Sequence, residues 1–357
     1  MVLKVKSIAV LVSIVLAIVG QGCADDKVKS DSLDADGTAS GTTGAEDSDF
    51  EDSLTGGTDR HDDDTNIAAV DTQSARDSDT DAGGDSETTS SHSDGPSRSC
   101  KRGVAYGHHA PADMAALSPG VSWWYNWYYA PDSELGDDWQ KHGVTFVPMW
   151  WGDKIPFIDV ENGVPSKTGA ILGFNEPNFF SQANLSAGDA AALWPQLQAF
   201  ADENDLAIGA PAVNFCGGGC HSTGPVAWLN EFFDACTDCR VDFIAVHIYV
   251  ECNADSPGLS ENRAQWLINH MEMYIDAFDR PIWLTEFACS GNPSLDEQKA
   301  FLVDAVDWLE NEPRVARYAW FAGRADNMAN VDLLGVEGQL TALGESYVNA
   351  PHTQECR

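Results

Sequence analysis

Eight short apolar runs, separated by polar or helix-patterned stretches, constrain this chain more than any other feature. They are RGVAYG (102–107), VSWWYNW (121–127), TFVPMWW (145–151), AILGFNEPN (170–178), AIGAPAVNF (207–215), FIAVHIY (243–249), PIWLTEF (281–287) and VARYAWFAG (315–323). Val, Ile, Phe, Tyr and Trp dominate them, as in strands, and their near-continuous apolar character predicts parallel strands buried on both faces. Helical patterns fill the gaps. Ser186 opens an Ala- and Leu-rich stretch reaching Asn204. Ser260 is placed to cap a second stretch through Ala264, Leu267, Met271, Tyr274 and Ile275. Ser294 and Glu297 form a capping-box pattern before Phe301, Leu302, Ala305, Val306 and Leu309. The second crossover, 131–142, is only weakly helical. Strands and helices alternating eight times within 100–357 predict an α/β domain, a compact and somewhat irregular (β/α)8 TIM barrel.

The rest of the chain reads differently. Residues 1–23 carry two lysines, an apolar run and a small-residue end, the pattern of a secretory signal. Cys23 follows Gly22 and is the candidate lipidation site of a bacterial lipoprotein. Ordinary cleavage near Gln21 is the alternative. Residues 24–99 are rich in Asp, Ser, Thr and Gly, with 21 acidic and 5 basic residues, a net charge of −16. Such a stretch buries too little apolar surface to offset its ordering entropy, so it is expected to be an extended, disordered linker. These readings make the protein secreted or envelope-bound, an outer-surface lipoprotein whose membrane contact is a lipid anchor alone. A tether and a spacer without a partner are equally compatible with the linker.

The domain 100–357 has 35 acidic and 13 basic residues, a net charge of −22. That excludes nucleic acid and other polyanions as partners and suits a neutral substrate. A monomer is expected. Eight of the nine cysteines lie in the domain: Cys100, Cys216, Cys220, Cys236, Cys239, Cys252, Cys289 and Cys356. An even number in an exported chain reads as disulfides. Cys252 and Cys289 each follow a predicted strand and are placed to bridge adjacent loops. Cys100 and Cys356 bracket the domain. The spacing of Cys216, Cys220, Cys236 and Cys239 also resembles a zinc site, but an oxidising compartment favours disulfides.

In a barrel of this kind the chemistry sits at the C-terminal ends of the strands. Those ends are polar and aromatic: Tyr106 and His108, Asn126 and Trp127, Trp150 and Trp151, Asn175 and Glu176, Asn214, His247 and Tyr249, Glu286, then Trp320 and Phe321. Tyr106, Asn126, Trp127, Trp151 and Trp320 are the candidate lining residues. Glu176 and Glu286 close apolar runs, where an unpaired carboxylate is costly. Either one alone has the alternative of a buried ion pair. Together, at the ends of the fourth and seventh runs, they form the pair that glycoside hydrolysis needs, one protonated and one ionised. His247 and Tyr249 share one strand face; His247 alone is equally a satisfied core histidine. At least one of Trp123 and Trp124 belongs in the core, because they alternate along one strand. Trp194, Trp228, Trp266 and Trp308 lie on predicted helices and are packing residues. No GxSxG elbow, HExxH motif or Gly-rich phosphate loop occurs.

Taken in order, the segments YNW (125–127), FVPMWWG (146–152), ILGFNEPN (171–178), GAPAV (209–213), IAVHIY (244–249), PIWLTEF (281–287), RYAWFAG (317–323) and LLGVEGQLTALG (333–344) make 101–349 resemble glycoside hydrolase family 128, the group related to the fungal alkali-sensitive-linkage proteins. The resemblance implies a compact barrel, a retaining mechanism and activity on β-1,3-glucan; endo action and no metal or organic cofactor are the accompanying expectations. It implies Glu176 as general acid/base, Glu286 as nucleophile, and Asn175 as the residue bonding the sugar 2-hydroxyl. It places Tyr249, His247, Trp127, Trp151 and Trp320 in the cleft. The cysteine-rich stretch 216–239 departs from the family pattern and leaves cleavage mode and preferred chain length open. A mildly acidic pH optimum is expected. The rival readings are a hydrolase of another β-glucan, a glucan-binding surface protein that does not cut, and a structural envelope protein.

Overall fold

The computed structural model describes residues 98–153, 168–253, 255–256 and 258–356. The expectations for the leader, for Cys23 and for the acidic stretch up to residue 97 fall outside the described residues. Arg98 and Ser99, read from the sequence as the end of that stretch, are paired: β1 (Arg98–Ser99) runs antiparallel to β10 (Glu355–Cys356).

The core is an α/β fold with a parallel sheet. Six strands pair in the order β4 (Thr145–Phe146), β3 (Trp123–Tyr125), β2 (Arg102–Ala105), β9 (Val315–Phe321), β8 (Ile282–Ser290), β7 (Ile244–Glu251), all parallel. A second parallel pair joins β5 (Ala170–Ile171) and β6 (Ala207–Ile208). Parallel bridges link the two sets: Met149 to Leu172 on one side, Gly209 to Phe243 and Val213 to Val246 on the other. Every one of the eight predicted runs therefore has a parallel partner on both sides. Three of them, 145–151, 170–178 and 207–215, hold only two residues of regular strand each and continue as single bridges.

Helices occupy the crossovers: α1 (Pro111–Leu117), α2 (Asp138–Lys141), α3 (Ala187–Glu203), α4 (Pro225–Ala235), α5 (Gln265–Ala277), α6 (Leu295–Asn311) and α7 (Ala342–Val348). The weak second crossover is a single 3-10 turn at Ser133–Leu135 followed by the one turn of α2. Ser186 caps α3 by accepting from the Asp189 amide at 3.1 Å. Ser294 and Glu297 form the reciprocal box at the start of α6. Ser260 does not cap α5. The helix begins five residues later, at Gln265, because Asn262 takes the Ala264 amide on its side chain at 2.8 Å while Asp304 of α6 takes the Arg263 amide at 2.7 Å. The preceding turn is thus committed to α6 before the helix can start.

Strand parity sorts side chains into two cores. On β3, Trp123 and Tyr125 point into the space enclosed by the strands, with Met149, Leu172, Phe243, Trp283 and Phe321. Trp124 points outward and joins Phe146, Trp194, Phe232 and Trp320 beneath the helices. Both Trp123 and Trp124 are fully buried. Gly103 makes room for the first: a Cβ there would lie 2.3 Å from the Trp123 ring. Below it, Phe243 and Trp283 stack at 3.9 Å, so the lower part of the enclosure is filled.

A buried ion pair closes the far face. Arg102 reaches Glu310 at 3.5 Å and donates to the carbonyls of Tyr347, Ala350 and Pro351. Ser99 and Tyr318 donate their hydroxyls to the same Glu310 carboxylate at 2.5 Å. Every donor is matched, as a buried pair requires. Four disulfides complete the fold among the described residues: Cys100–Cys356 at the ends of the domain, Cys252–Cys289 from the residue after β7 to the end of β8, and the local Cys216–Cys220 and Cys236–Cys239. The four cysteines whose spacing resembled a zinc site thus form two separate short bridges.

Candidate active site

Glu176 and Glu286 come together at the C-terminal ends of the strands, and the backbone bends locally to bring them there. Glu176 has φ +40, in the left-handed region that non-glycine residues seldom adopt, and its amide donates to Ala212 O at 2.8 Å. Around Glu286 the ladder is irregular on both flanks: the pairing with β7 shifts between Val246 and His247, and the pairing with β9 shifts between Leu284 and Phe287. Such bulges turn a side chain out of plain alternation. Both Thr285 and Glu286 are buried, as is the whole of β8 up to Cys289, and the shift in pairing lets Glu286 face the enclosed side.

Donors converge on Glu286. Tyr125 donates to Oε1 at 2.9 Å, the Trp127 indole to Oε1 at 2.7 Å, and Tyr249 to Oε2 at 2.5 Å. Glu176 accepts from Asn214 Nδ2 at 3.0 Å. His247 stands between the carboxylates, with Nδ1 3.0 Å from Glu176 Oε1 and Nε2 3.4 Å from Glu286 Oε1. One atom from each of the three residues lies within 4.8 Å of the others.

The electrostatics follow from burial and from this crowding. Burial pushes the Glu286 carboxyl up; His247 opposes it, Glu176 adds to it, and the Tyr249 and Trp127 hydrogen bonds pull it back, leaving it above its ordinary value. Burial alone would lower His247, but the charge of Glu286 and the hydrogen bond and charge of Glu176 outweigh it, so His247 is raised. Tyr125 and Tyr249 are raised well above the ordinary phenol value, first by burial and then by Glu286, so both remain hydroxyl donors. Two glutamates and a histidine are also a possible donor set for a cation. Tyr125 and Trp127 share Oε1 and Tyr249 takes one site of Oε2, which leaves Oε2 a lone pair free.

The other sequence candidates separate. Asn175 is buried beside Glu176. Its Nδ2 bonds Gln182 at 3.3 Å, while its Oδ1 has no partner among the described residues. Trp151 is half-buried, with its Nε1 likewise unpaired among the described residues. Trp127 and Tyr249 both pack edge-on against Phe321. Tyr106 is half-buried, against His109 and beneath Arg324. Asn126 is committed to its own loop: it donates to Ala130 O and accepts from the Tyr128 amide. Trp320 is not in the cleft. It is fully buried on the outer side of β9, among Phe287, Phe301 and Tyr347, and its Nε1 donates to Val331 O at 2.8 Å. Its neighbour Phe321 faces inward instead. Sequence reasoning missed Tyr125 and Asn214 as ligands of the two glutamates. For Tyr125 the signal was present: Trp123, Tyr125 and Trp127 alternate on one face.

The family model of the glycosyl hydrolase catalytic core matches residues 103–347. The fold is similar to an endo-β-1,3-glucanase of GH128 subgroup II from Sorangium cellulosum, at 53% identity and TM-score 0.68, covering 71% of this chain and 100% of that one. It is also similar to a subgroup II endo-β-1,3-glucanase from Pseudomonas viridiflava, at 34% identity and TM-score 0.60, covering 72% and 100%. Alkali-sensitive linkage protein 1 of Schizosaccharomyces pombe is 30% identical over 263 residues, 70% of this chain. The match spans 44% of that relative's length. By model and by relatives, the chain belongs to the glycosyl hydrolase catalytic core family, within glycoside hydrolase family 128.

Proposed function

We propose that the domain is an endo-β-1,3-glucanase that retains anomeric configuration, built as a compact (β/α)8 barrel with its cleft at the C-terminal strand ends. The observation that carries this reading is the closeness of Glu176 and Glu286, one carboxylate oxygen of each lying within 4.8 Å of the other. Retaining enzymes hold their carboxyl groups about 5–5.5 Å apart, whereas inverting enzymes leave room for a water at about 6.5–9.5 Å. The two subgroup II relatives named above are both endo-β-1,3-glucanases.

The hydrogen bonds divide the roles. Three neutral donors stabilise a charge on Glu286, and fewer hold Glu176. In this reading Glu286, held by the three donors, is the attacking carboxylate, and Glu176 is the general acid. Glu176 then protonates the glycosidic oxygen as Glu286 attacks C1. The C1–O bond breaks, the leaving chain departs, and a glycosyl ester forms on Glu286. Next, Glu176 takes a proton from water; the water oxygen attacks C1 and releases Glu286. Asn175, with its open Oδ1, receives the sugar 2-hydroxyl. Trp127 and Trp151 offer ring faces to the glucosyl units.

Four disulfides support work outside the cytoplasm, secreted or at the cell envelope. The test is incubation with a linear β-1,3-glucan, following reducing ends, with Glu286→Gln as control. Oligosaccharide release that vanishes in the variant supports the reading. Release from other β-glucans alone redirects the substrate, and binding without release from any glucan overturns the reading.

A further inference from the structure

The loop after β6 is built directly onto the loop that carries Glu176. The Cys216–Cys220 bridge closes its tip over a separation of four residues. Cys220 pairs antiparallel with Phe179, and the Phe180 amide donates to Gly219 O at 3.1 Å. The His221 amide donates to Asn178 O at 2.8 Å. The fully buried Asn178 donates to Asn214 O at 2.8 Å and to Ser222 O at 3.3 Å. Asn214 is the residue that holds Glu176. A continuous set of hydrogen bonds therefore runs from the acid to the bridged tip.

Beside that tip, on the Glu176 loop, sits Phe180, four residues beyond Glu176 and 54% exposed. It does not fold into the core. His221 packs edge-to-face on it at 4.8 Å. His221 is itself fixed by Asn184 Oδ1, 3.0 Å from its Nε2, and Asn184 holds a left-handed backbone with φ +52. Asn is among the few residues that tolerate such a conformation, because its short amide bonds locally. The result is an aromatic ring displayed to solvent and braced from behind. The bridge that closes the tip spans so few residues that loop-closure entropy gives it little leverage on global stability, so its main effect is on local shape.

Which part of a substrate meets this ring follows from the reaction. The acid must touch the leaving oxygen, so the sugar beyond that oxygen lies on the Glu176 side of the cleft. Resting on the glucanase reading above, we propose that Phe180, braced by His221 and the Cys216–Cys220 loop, forms the binding site for the leaving-group sugar and equally for an acceptor sugar. Its ligand is a β-linked glucosyl unit, whose apolar face stacks on the ring. When a sugar hydroxyl occupies that site after the first step, its oxygen attacks C1 of the glycosyl ester, its proton passes to Glu176, and Glu286 is released. Transfer then competes with hydrolysis.

The experiment measures that competition in the full-length protein. The donor is an aryl β-laminaribioside, and laminaribiose is the added acceptor. The ratio of transfer product to hydrolysis product is set by the common glycosyl-enzyme, so it is independent of how that intermediate formed. Phe180→Ala should lower the ratio about tenfold, the loss of one stacked contact. Cys216→Ser with Cys220→Ser should lower it in the same direction by less. The partition to methanol, which has no ring to stack, should stay as in the wild type. A transfer ratio unchanged in Phe180→Ala, with the wild type active, overturns the site and leaves the glucanase reading standing. An equal fall for methanol and laminaribiose also overturns it, by showing a general defect. A wild type that hydrolyses neither the glucan nor the aryl glycoside removes both readings together.

Discussion

The Trp127 indole stands 2.7 Å from Glu286 Oε1, so a cleft-lining ring also holds the charge of the proposed nucleophile. Trp127 makes this contact from a left-handed backbone with φ +59, the same uncommon region that Glu176 occupies at φ +40. Non-glycine residues in that region carry strain that the surrounding packing must offset. Both instances touch the carboxylate pair. The site thus concentrates backbone strain, buried charge and irregular pairing within one group of residues, while the stacked aromatic layer of Phe243 and Trp283 beneath it is packed and apolar.

Glu176→Gln should separate substrates by leaving group. Against glucan, loss of the general acid should lower kcat/KM about 10²–10⁴-fold. Against an aryl glycoside with an acidic phenol, departure needs no proton, so formation of the glycosyl-enzyme should be nearly unaffected. Glu286→Gln should abolish activity on both. Stopped-flow release of the phenol checks this; an equal loss on both substrates in Glu176→Gln would contradict the assignment of roles.

The acid limb of the kcat/KM profile belongs to ionisation of Glu286, which burial sets above its ordinary value. Tyr249 donates to the ionised form, so Tyr249→Phe removes support for the anion. The carboxyl then binds its proton more tightly, and the limb should move to higher pH. Tyr125→Phe should act in the same direction through Oε1. The pH dependence of kcat/KM on laminari-oligosaccharides reads the shift, and a limb that stays put or moves to lower pH would count against this account.

Most of the fold was legible because hydrophobic runs and helix caps are local signals. All eight runs pair as parallel segments, the capping box at Ser294 forms as read, and the stretch that Ser186 opens is a helix. What failed depended on partners distant in sequence in some places and on strand parity in others. Ser260 lost its helix start because Asp304, on the next helix, holds the intervening turn. Trp320 looked like a cleft residue because it ends a strand. The parity of β9 instead puts Ala319 and Phe321 inside and Trp320 outside. Tyr125 was passed over in favour of Asn126, although alternation from Trp123 aims it inward. Glu286 escaped strict parity through bulges that no local pattern announces.

That parity separates two tryptophans with the same sequence-level role. Trp320→Phe leaves a void under the helices and the Val331 carbonyl without its donor. The cost should be about 2 kcal/mol of stability, with KM for glucan unchanged. Trp151→Ala, at the half-buried ring beside Asn175, should instead raise KM several-fold with little change in denaturation midpoint. Urea titration and initial rates on both variants check the contrast. A raised KM in Trp320→Phe, with stability intact, would return that residue to the cleft.

The same groups that run the chemistry set how stability varies with pH. Glu286 is raised from an ordinary value of 4.5, and His247 from 6.5. A group whose folded value is raised binds its proton more tightly in the native state than in the unfolded chain. The stability Glu286 contributes is therefore fully present below about pH 4.5 and is lost as pH rises through its folded value. For His247 the contribution is fully present below about pH 6.5 and is lost in the same sense. These two groups pull Tm down as pH rises from about 5 to about 8, against the opposite pull below about pH 6.5 of His109 and His270, whose values burial lowers. Glu286→Gln keeps a neutral side chain of the same shape, which removes the carboxylate's desolvation cost and much of the field that raises His247. Its Tm should depend less steeply on pH, and its advantage over the wild type should grow toward the alkaline end. Calorimetry across that range tests the linkage. Parallel Tm profiles for the two proteins would mean that the buried pair carries no net penalty for its charge.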